Sequence, residues 1–203
     1  MCSLRQPRFL VLEGLDGVGT TTIARLVADG LRASGLRVCL TNEPTDGPFG
    51  LLLRAHLGGQ TDLDPHTTAL AFSADRADHA ARVIRPALER GEWVVSDRYL
   101  LSTLAYQGAE GVSREAILAA SASFPVPDLT VVLEVPDPVR AERMSGRATT
   151  ERYEDPALND ALRASYEEAI ALLRRAGQRI EVVDASQPVD NVAAEVRRRL
   201  DSV

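Results

Sequence analysis

FLVLEGLDGVGTTT, residues 9–22, is the stretch of the sequence that decides the fold. Its first four residues are all apolar, as in a strand that is buried on both faces. Glu13 and Gly14 end this run, and apolar residues at helical spacing follow between Ile23 and Leu31. The stretch therefore predicts a strand, a glycine-rich turn and a helix over about 20–33.

The same alternation of strands and helices continues along the chain. Four further β-type runs occur, at 38–40, 93–95, 129–135 and 180–183. Helices are predicted over about 65–90, 100–107, 113–121, 138–144, 156–176 and 189–200. Pro86 should kink the first of these, because proline lacks a backbone donor and clashes with the preceding turn. The pattern predicts an α/β fold in which a five-stranded parallel sheet is wrapped by helices on both faces.

The composition is that of an ordinary soluble globular protein, with one domain expected over residues 1–203. Of the 203 residues, 45% are hydrophobic and 26% are charged, and the formal net charge is −6. Nucleic acid is not an expected partner, because binding it requires clustered positive charge. Cys2 and Cys39 are too few for a disulfide framework or a zinc site. No signal peptide or membrane-spanning run is recognisable, so we expect a cytoplasmic protein without membrane contact.

Residues 14–21 fit the phosphate-loop spacing G-x-x-x-x-G-K-[ST] with one exception. In such a loop, backbone N–H groups surround a phosphate at a helix N-terminus, and the final hydroxyl holds Mg²⁺. The exception is Thr20, which replaces the lysine that reaches the β- and γ-phosphates. All 23 Lys+Arg residues are arginine, so a compensating charge has to come from an arginine.

Six segments of the chain resemble bacterial thymidylate kinases and follow that family's order. They are LEGLDGVGTTT at 12–22, EPTDGPFG at 43–50, FSADRADH at 72–79, SDRY at 96–99, STLAYQG at 102–108 and an arginine-containing loop before RYE at 152–154. The resemblance implies the three-layer fold of P-loop NTPases with a short arginine-bearing lid at about 145–153. It also implies transfer of the γ-phosphoryl group of ATP to dTMP, with Mg²⁺, in a homodimer.

The resemblance also implies three groups of site residues. The catalytic group is Asp16, Asp97, Arg98, Arg147 and Arg152. The ATP-binding group is Gly14, Gly17, Val18, Gly19, Thr20, Thr21, Thr22, Arg143 and Ser186, with Thr21 and Asp97 as the Mg²⁺ ligands. The dTMP-binding group is Glu43, Pro44, Arg54, Phe72, Arg76, Arg98, Thr103, Tyr106 and Gln107.

Several of these roles follow from particular positions. Phe72 and Arg76 lie four residues apart, on one face of a helix, where the resemblance implies stacking on thymine and a hydrogen bond to its edge. Tyr106 is implied to exclude a ribose 2′-OH. Gly17 occupies the loop position where some members carry a catalytic arginine, so the lid arginines are expected to supply that charge. Asn42 stands where bacterial members usually have an arginine, which removes one possible phosphate contact.

Ordinary structural explanations exist for the same residues. Phe72 and Tyr106 could be core aromatics, Asp97 and Arg98 could form a surface salt bridge, and the lid arginines could be solvated. The three histidines show no metal-ligand spacing. The missing lysine leaves open a nucleotide-binding homologue with impaired or lost catalysis. A kinase for a modified pyrimidine deoxynucleotide is a further alternative.

Overall fold

A computed structural model describes residues 8–145 and 159–201 of the chain. Within these ranges there are five strands: β1 (Phe9–Glu13), β2 (Val38–Asn42), β3 (Trp93–Asp97), β4 (Leu129–Glu134) and β5 (Ile180–Asp184). They pair in parallel in the order β2-β3-β1-β4-β5. This confirms the predicted five-stranded parallel sheet.

Helices connect the strands. They are α1 (Thr20–Ala33), α2 (Pro48–Leu57), α3 (Pro65–His79), α4 (Arg85–Glu89), α5 (Leu100–Ala109), α6 (Arg114–Ala120), α7 (Asp137–Ser145), α8 (Asn159–Arg175) and α9 (Val189–Asp201). The sequence analysis missed only α2, whose leucines do not fall on one face: Leu51 and Leu52 are exposed and Leu53 is buried. Pro48 in its first turn was the available signal. Across residues 8–145 and 159–201, no helix is both long and apolar enough to cross a bilayer.

The helix predicted over 65–90 is divided by a π-helical turn at Ala80–Ile84. Pro86 lies directly after this turn, at the start of α4. Proline has no N–H to donate, and a π-helical turn widens the helix where the regular hydrogen-bond pattern is interrupted. The disturbance expected at Pro86 therefore takes the form of a π-helical turn.

Apolar residues pack on both faces of the sheet. Leu10 and Leu12 of β1 contribute to a layer with α1 and α9. Phe9 and Val11 contribute to a second layer with α3–α6 and α8. Successive side chains of a strand point to opposite faces, so this one strand takes part in both layers. The resulting three-layer arrangement fixes the positions of the strand ends.

The C-terminal ends of the three strands on one side of the sheet meet at the same edge. β1 ends at Glu13 and leads into the phosphate loop, β2 ends at Asn42, and β3 ends at Asp97. The strand register pairs Asp97 with Leu12 on one side and with Asn42 on the other. The segments that follow these strands are therefore brought together at this edge.

Candidate active site

A cavity of about 1030 Å³ lies at this edge, where open parallel sheets bind ligands. Most of the site residues predicted from the sequence contribute to its wall: Asp16, Gly17, Gly19, Thr20, Thr21, Thr22, Glu43, Pro44, Arg54, Phe72, Arg76, Asp97, Arg98, Tyr106 and Gln107. The fold thus assembles in one cavity residues from the phosphate loop, the 43–54 segment, α3, the end of β3 and α5.

The phosphate loop needs glycine where it passes close to its neighbours. Gly14 has φ +150°, and a Cβ there would lie 2.6 Å from the carbonyl oxygen of Leu133. Gly17 has φ +88°, and a Cβ there would lie 2.7 Å from Cγ of Met144. Residues other than glycine would therefore push the loop away from β4 and α7. Gly14 does not itself line the cavity, and its contribution is this close packing.

Thr21 and Asp97 are in direct contact at the start of α1. The Thr21 hydroxyl donates to Oδ2 of Asp97 over 2.5 Å. Oδ1 of Asp97 is buried and accepts no hydrogen bond from the described residues. Mg²⁺ prefers oxygen ligands and is usually held by one or two protein groups together with substrate phosphates. The pair fits such an ion, and in the described ranges no cluster of three or more His, Cys, Asp or Glu offers another metal site.

Arg98 has a left-handed backbone conformation, with φ +70°, directly after β3. A non-glycine residue in this region costs roughly 1–3 kcal/mol and needs contacts that hold it there. Its Nη1 donates to the carbonyl oxygen of Gly14 over 2.9 Å, and its Nη2 lies 2.5 Å from Oδ1 of Asp16. The side chains of Arg98 and Asp16 are only 19% and 20% exposed, so this is not a surface salt bridge.

Tyr106 belongs both to the core and to the cavity wall. Its ring packs edge-to-face against Tyr166, with the ring centroids 5.8 Å apart. Its hydroxyl donates to Oδ2 of Asp16 over 3.1 Å. Tyr166, which the sequence analysis did not select, donates its own hydroxyl to the carbonyl oxygen of Gly14 over 2.9 Å. The two tyrosines therefore hold Asp16 and the phosphate loop against α5 and α8.

Glu13 is a fully buried carboxylate between β1 and the phosphate loop, and the sequence analysis did not select it either. Its Oε1 accepts the backbone N–H groups of Tyr99 and Ser102 over 2.9 and 3.2 Å. Its Oε2 accepts the Ser102 hydroxyl over 2.6 Å. Burial raises the pKa of Glu13 to about 7, although the charge of Arg98 and these hydrogen bonds favour the ionised form. Glu13 thus caps α5 and connects it to the loop.

Replacing Glu13 with glutamine should change how stability depends on pH. A carboxylate whose pKa rises from 4.5 to about 7 on folding stabilises the fold fully below about pH 4.5, and this contribution is lost as the pH rises through 7. Between pH 5 and pH 8, the wild type should therefore lose about 2 kcal/mol of unfolding free energy relative to Glu13→Gln. Urea unfolding at both pH values measures this difference.

The exposed Glu142 provides the matched control for this experiment. Glu142→Gln should follow the wild type at both pH values within about 0.5 kcal/mol. Parallel pH profiles for the wild type and Glu13→Gln would contradict the raised pKa.

Arg76 of α3 is fully buried and lines the main cavity. Its Nη2 lies 2.8 Å from Oε2 of Glu43 and donates to the Thr103 hydroxyl over 2.9 Å. Its guanidinium carbon lies 5.0 Å from the ring centroid of Tyr99. Nη1 is buried and has no acceptor among the described residues. A buried cationic N–H without an acceptor is costly, so a ligand carbonyl oxygen at this position would stabilise it.

Two residues that contact Arg76 or its partner Glu43 have surroundings that the sequence analysis did not predict. Thr103 was expected to face the sugar and base, but it is buried, does not line the cavity, and accepts a hydrogen bond from Arg76 instead. His79 was not selected, yet its Nδ1 lies 2.9 Å from Oε1 of Glu43 and its Nε2 lies 2.7 Å from the Thr41 hydroxyl. Its position three residues after Arg76 on α3 was the only local signal. Both residues help to hold Arg76.

Phe72 lies one helical turn before Arg76. It is half-buried, lines the cavity, and belongs to neither core layer of the described part of the chain. The core explanation of Phe72 therefore has no support in this packing. An aromatic ring at a cavity wall, one turn from a donor fork, suits a planar heterocyclic ligand.

Arg54 of α2 is the cation that the 43–54 segment brings to the cavity. It donates to the carbonyl oxygen of Pro44 over 2.5 Å and lies 3.6 Å from a carboxylate oxygen of Asp46. Asn42 donates to the same carbonyl over 2.8 Å. The Asn42 amide therefore helps to hold the 43–54 segment. Arg54 of the same segment lines the cavity.

A second cavity, of about 160 Å³, adjoins the other side of the phosphate loop. Its lining is Val18, Gly19, Thr22, Ile23, Arg143, Ala185 and Val189. Arg143 donates to the carbonyl oxygens of Val18 and Ala185 over 3.0 and 3.1 Å, so it joins the loop to the connection between β5 and α9. Ser186 follows Ala185 but is not part of this lining.

The lid arginines Arg147 and Arg152 lie outside the described residues, as does the expected lid beyond Ser145. Their roles therefore stay predictions. The last described residues before this gap are close to the phosphate loop, because Met144 of α7 packs against Gly17.

Over most of its length the chain is similar to one family of known proteins. Residues 12–196 match the sequence profile of a family described as Thymidylate kinase. A thymidylate kinase of Leifsonia xyli subsp. xyli is 42% identical over 200 residues, which cover 95% of this chain and 94% of that protein. A probable thymidylate kinase of Caldivirga maquilingensis is 41% identical over 190 residues, which cover 93% of this chain and 90% of that protein. One of Pyrobaculum aerophilum is 37% identical, with 96% and 97% covered.

Proposed function

Because the chain belongs to the thymidylate kinase family, we propose that it transfers the γ-phosphoryl group of ATP to the 5′-phosphate of dTMP, giving dTDP. One observation carries this proposal: the main cavity is lined both by the phosphate loop and by Phe72 and Arg76 of α3, an aromatic ring and a guanidinium group one helical turn apart. A nucleoside monophosphate bound between them would present its phosphate to the loop.

The loop side of the cavity suits the donor ATP. The N-terminus of α1 presents backbone N–H groups, which bind phosphate oxygens, and the second cavity beside Arg143 suits the adenine. Thr21 and Asp97 would hold Mg²⁺, which neutralises charge on the phosphoryl oxygens when it is bound.

The part of the wall formed by Phe72, Arg76 and Tyr106 suits the acceptor. Phe72 would stack on the base, and Nη1 of Arg76 would donate to a carbonyl oxygen at its edge. Tyr106 narrows the cavity beside the sugar, where a ribose 2′-OH would project. Arg54 and Arg98 would contact the acceptor phosphate, and Asp16 would orient Arg98 through their ion pair. Gln107 lines the same wall.

Phosphoryl transfer needs little covalent help from the protein, and it is catalysed mainly by positioning and charge neutralisation. Arg98 would neutralise charge on the transferring group from the β3 side. We further propose that Arg147 and Arg152 do so from the lid, because the loop position where some family members carry a catalytic arginine is Gly17 here. A closed lid would also exclude water, which otherwise hydrolyses ATP.

The assembly and location of the protein are also proposals. We propose that the chain forms one domain and acts as a cytoplasmic homodimer. Four large apolar side chains on α2 and α3 support the dimer, because they are exposed in the single chain: Phe49, Leu51, Leu52 and Leu70.

Measurement of ADP release with a series of acceptors tests the function. The value of kcat/KM should be highest for dTMP and at least about 10-fold lower for UMP, because a steric clash with the 2′-OH is worth about 1–3 kcal/mol. AMP should not react, because adenine has no carbonyl oxygen to accept a hydrogen bond from Nη1 of Arg76.

The same series includes dUMP, dCMP and a reaction without acceptor. Equal rates with dTMP and AMP would refute the assignment. Binding of both nucleotides without turnover of any acceptor would instead indicate an inactive nucleotide-binding homologue.

A further inference from the structure

The phosphate loop carries no positive side chain of its own. Thr20 occupies the position that usually supplies a positive side chain. Thr20 is uncharged and buried, with only 6% of the residue exposed. ATP carries several negative charges, and an arginine or lysine beside phosphate oxygens forms strong charge-assisted hydrogen bonds. A cation from elsewhere in the cavity wall would therefore have a clear electrostatic role.

Four arginines line the main cavity in the described part of the chain: Arg25, Arg54, Arg76 and Arg98. Three of them are paired with carboxylates. Arg76 contacts Glu43, Arg98 contacts Asp16, and Arg54 lies near Asp46.

Arg25 differs from the other three. None of the hydrogen bonds and ion pairs described for residues 8–145 and 159–201 involves its side chain, and the residue is exposed. Within the described ranges, its positive charge is therefore not compensated by a carboxylate.

The position of Arg25 on α1 directs it towards the loop. It lies four residues after Thr21, so the two side chains share one face of the helix, with Cβ atoms about 5–6 Å apart. Side chains on an α-helix lean towards its N-terminus, which here is the phosphate loop. In this usual orientation the Arg25 side chain would lie over Thr21, the residue whose hydroxyl contacts Asp97.

We propose that Arg25 binds the phosphates of the donor nucleotide and supplies the positive charge that Thr20 does not. This inference deepens the proposed function, because it names a phosphate-binding residue of the same site. An arginine one helical turn after the loop suits phosphate binding, because its long side chain ends in a planar fork of N–H donors that matches phosphate oxygens.

Equilibrium binding of ATP to Arg25→Gln tests the proposal without any acceptor. In calorimetry with Mg²⁺, the Kd for ATP should rise about 10-fold, as expected for loss of one charge-assisted contact. The Kd for dTMP should stay within about 2-fold. Arg25→Lys should bind ATP more tightly than Arg25→Gln, because it keeps the charge.

Arg32→Gln is the matched control. Arg32 lies on the same helix, outside the cavity wall, and pairs with Asp29. Its replacement should leave both Kd values unchanged, and thermal melting checks that every variant is folded.

A second pair of variants tests whether Arg25 takes the place of the loop lysine. If the two cations act on the same phosphates, Thr20→Lys should tighten ATP binding more in the Arg25→Gln background than in the wild type. The double variant should approach the wild-type Kd. Equal gains in ATP affinity in both backgrounds would mean that the two positions act independently. This result would overturn the inference that Arg25 takes the place of the loop lysine.

The possible outcomes separate this proposal from the proposed function. An unchanged Kd for ATP in Arg25→Gln would overturn the proposal even if dTMP is phosphorylated. A rise in the Kd for dTMP alone would also overturn it and place Arg25 at the acceptor phosphate. A 10-fold rise in the Kd for ATP in a protein that does not turn over dTMP would support Arg25 and refute the kinase activity.

Discussion

Replacing Asp97 with asparagine should lower kcat by about 100- to 1,000-fold, the usual effect of removing one group that stabilises transition-state charge. Oδ1 of Asp97 is buried and has no partner within residues 8–145 and 159–201, and Oδ2 accepts the Thr21 hydroxyl. An asparagine retains the size of the side chain but loses the negative charge that attracts Mg²⁺. Steady-state kinetics across a range of Mg²⁺ concentrations should show the lower kcat together with a raised Mg²⁺ requirement.

The affinity for dTMP should change little in Asp97→Asn, because in the described structure the Asp97 carboxylate contacts Thr21 and neither of the proposed base-binding residues, Phe72 and Arg76. Asp29→Asn is the control, since Asp29 is exposed on α1 and pairs only with Arg32 in the described structure. Activity near the wild-type value in Asp97→Asn would show that this carboxylate does not hold the metal ion.

Replacing Arg98 with lysine should lower kcat by about 100-fold even though the charge is retained. The guanidinium makes several contacts at once, to the Gly14 carbonyl, the Asp16 carboxylate and the Ser102 hydroxyl. An ammonium group cannot reproduce this geometry, so both the loop and Asp16 lose a fixed partner. Single-turnover kinetics with saturating ATP and dTMP measures the rate of the chemical step.

Arg82→Lys is the matched control variant for Arg98→Lys. The Arg82 side chain is 76% exposed and pairs with Asp78 away from the cavity, so its variant should keep the wild-type rate. If Arg98→Lys reacts at the wild-type rate while remaining folded, the chemical step needs only a positive charge at this position and not the contacts of the guanidinium group.

Contacts among the protein's own residues fix several of the groups that the proposed reaction would use. Asp16 is held from two sides, by Arg98 and by the hydroxyl of Tyr106. Arg76 is held by Glu43, which in turn contacts His79. Groups that are fixed before the substrate binds lose less conformational freedom on binding, and they stabilise charge without reorganisation.

The sequence alone predicts those features that depend on short-range patterns. Apolar runs followed by helical periodicity locate all five strands and the predicted helices, since burial on both faces requires such runs. The glycine spacing of residues 14–21 predicts the phosphate loop, and Asp97 follows an apolar run, which predicts its position at a strand end. Arg76 and Phe72 share a helix face because they are four residues apart. These features need no knowledge of distant contacts.

The tertiary structure decides the features that depend on residues far apart in the chain. Tyr166 contacts the Gly14 carbonyl, 152 positions away along the chain, and Glu13 caps α5 through Tyr99, 86 positions away. No local sequence pattern predicts either contact. The hydrogen bond from Arg76 to the Thr103 hydroxyl likewise depends on how α5 packs beside α3, across 27 positions of the chain. His79 was overlooked because Glu43, its partner, belongs to another segment 36 positions away. Local sequence fixes which element a residue belongs to, whereas its partners depend on how the elements pack, and packing is a property of the whole chain.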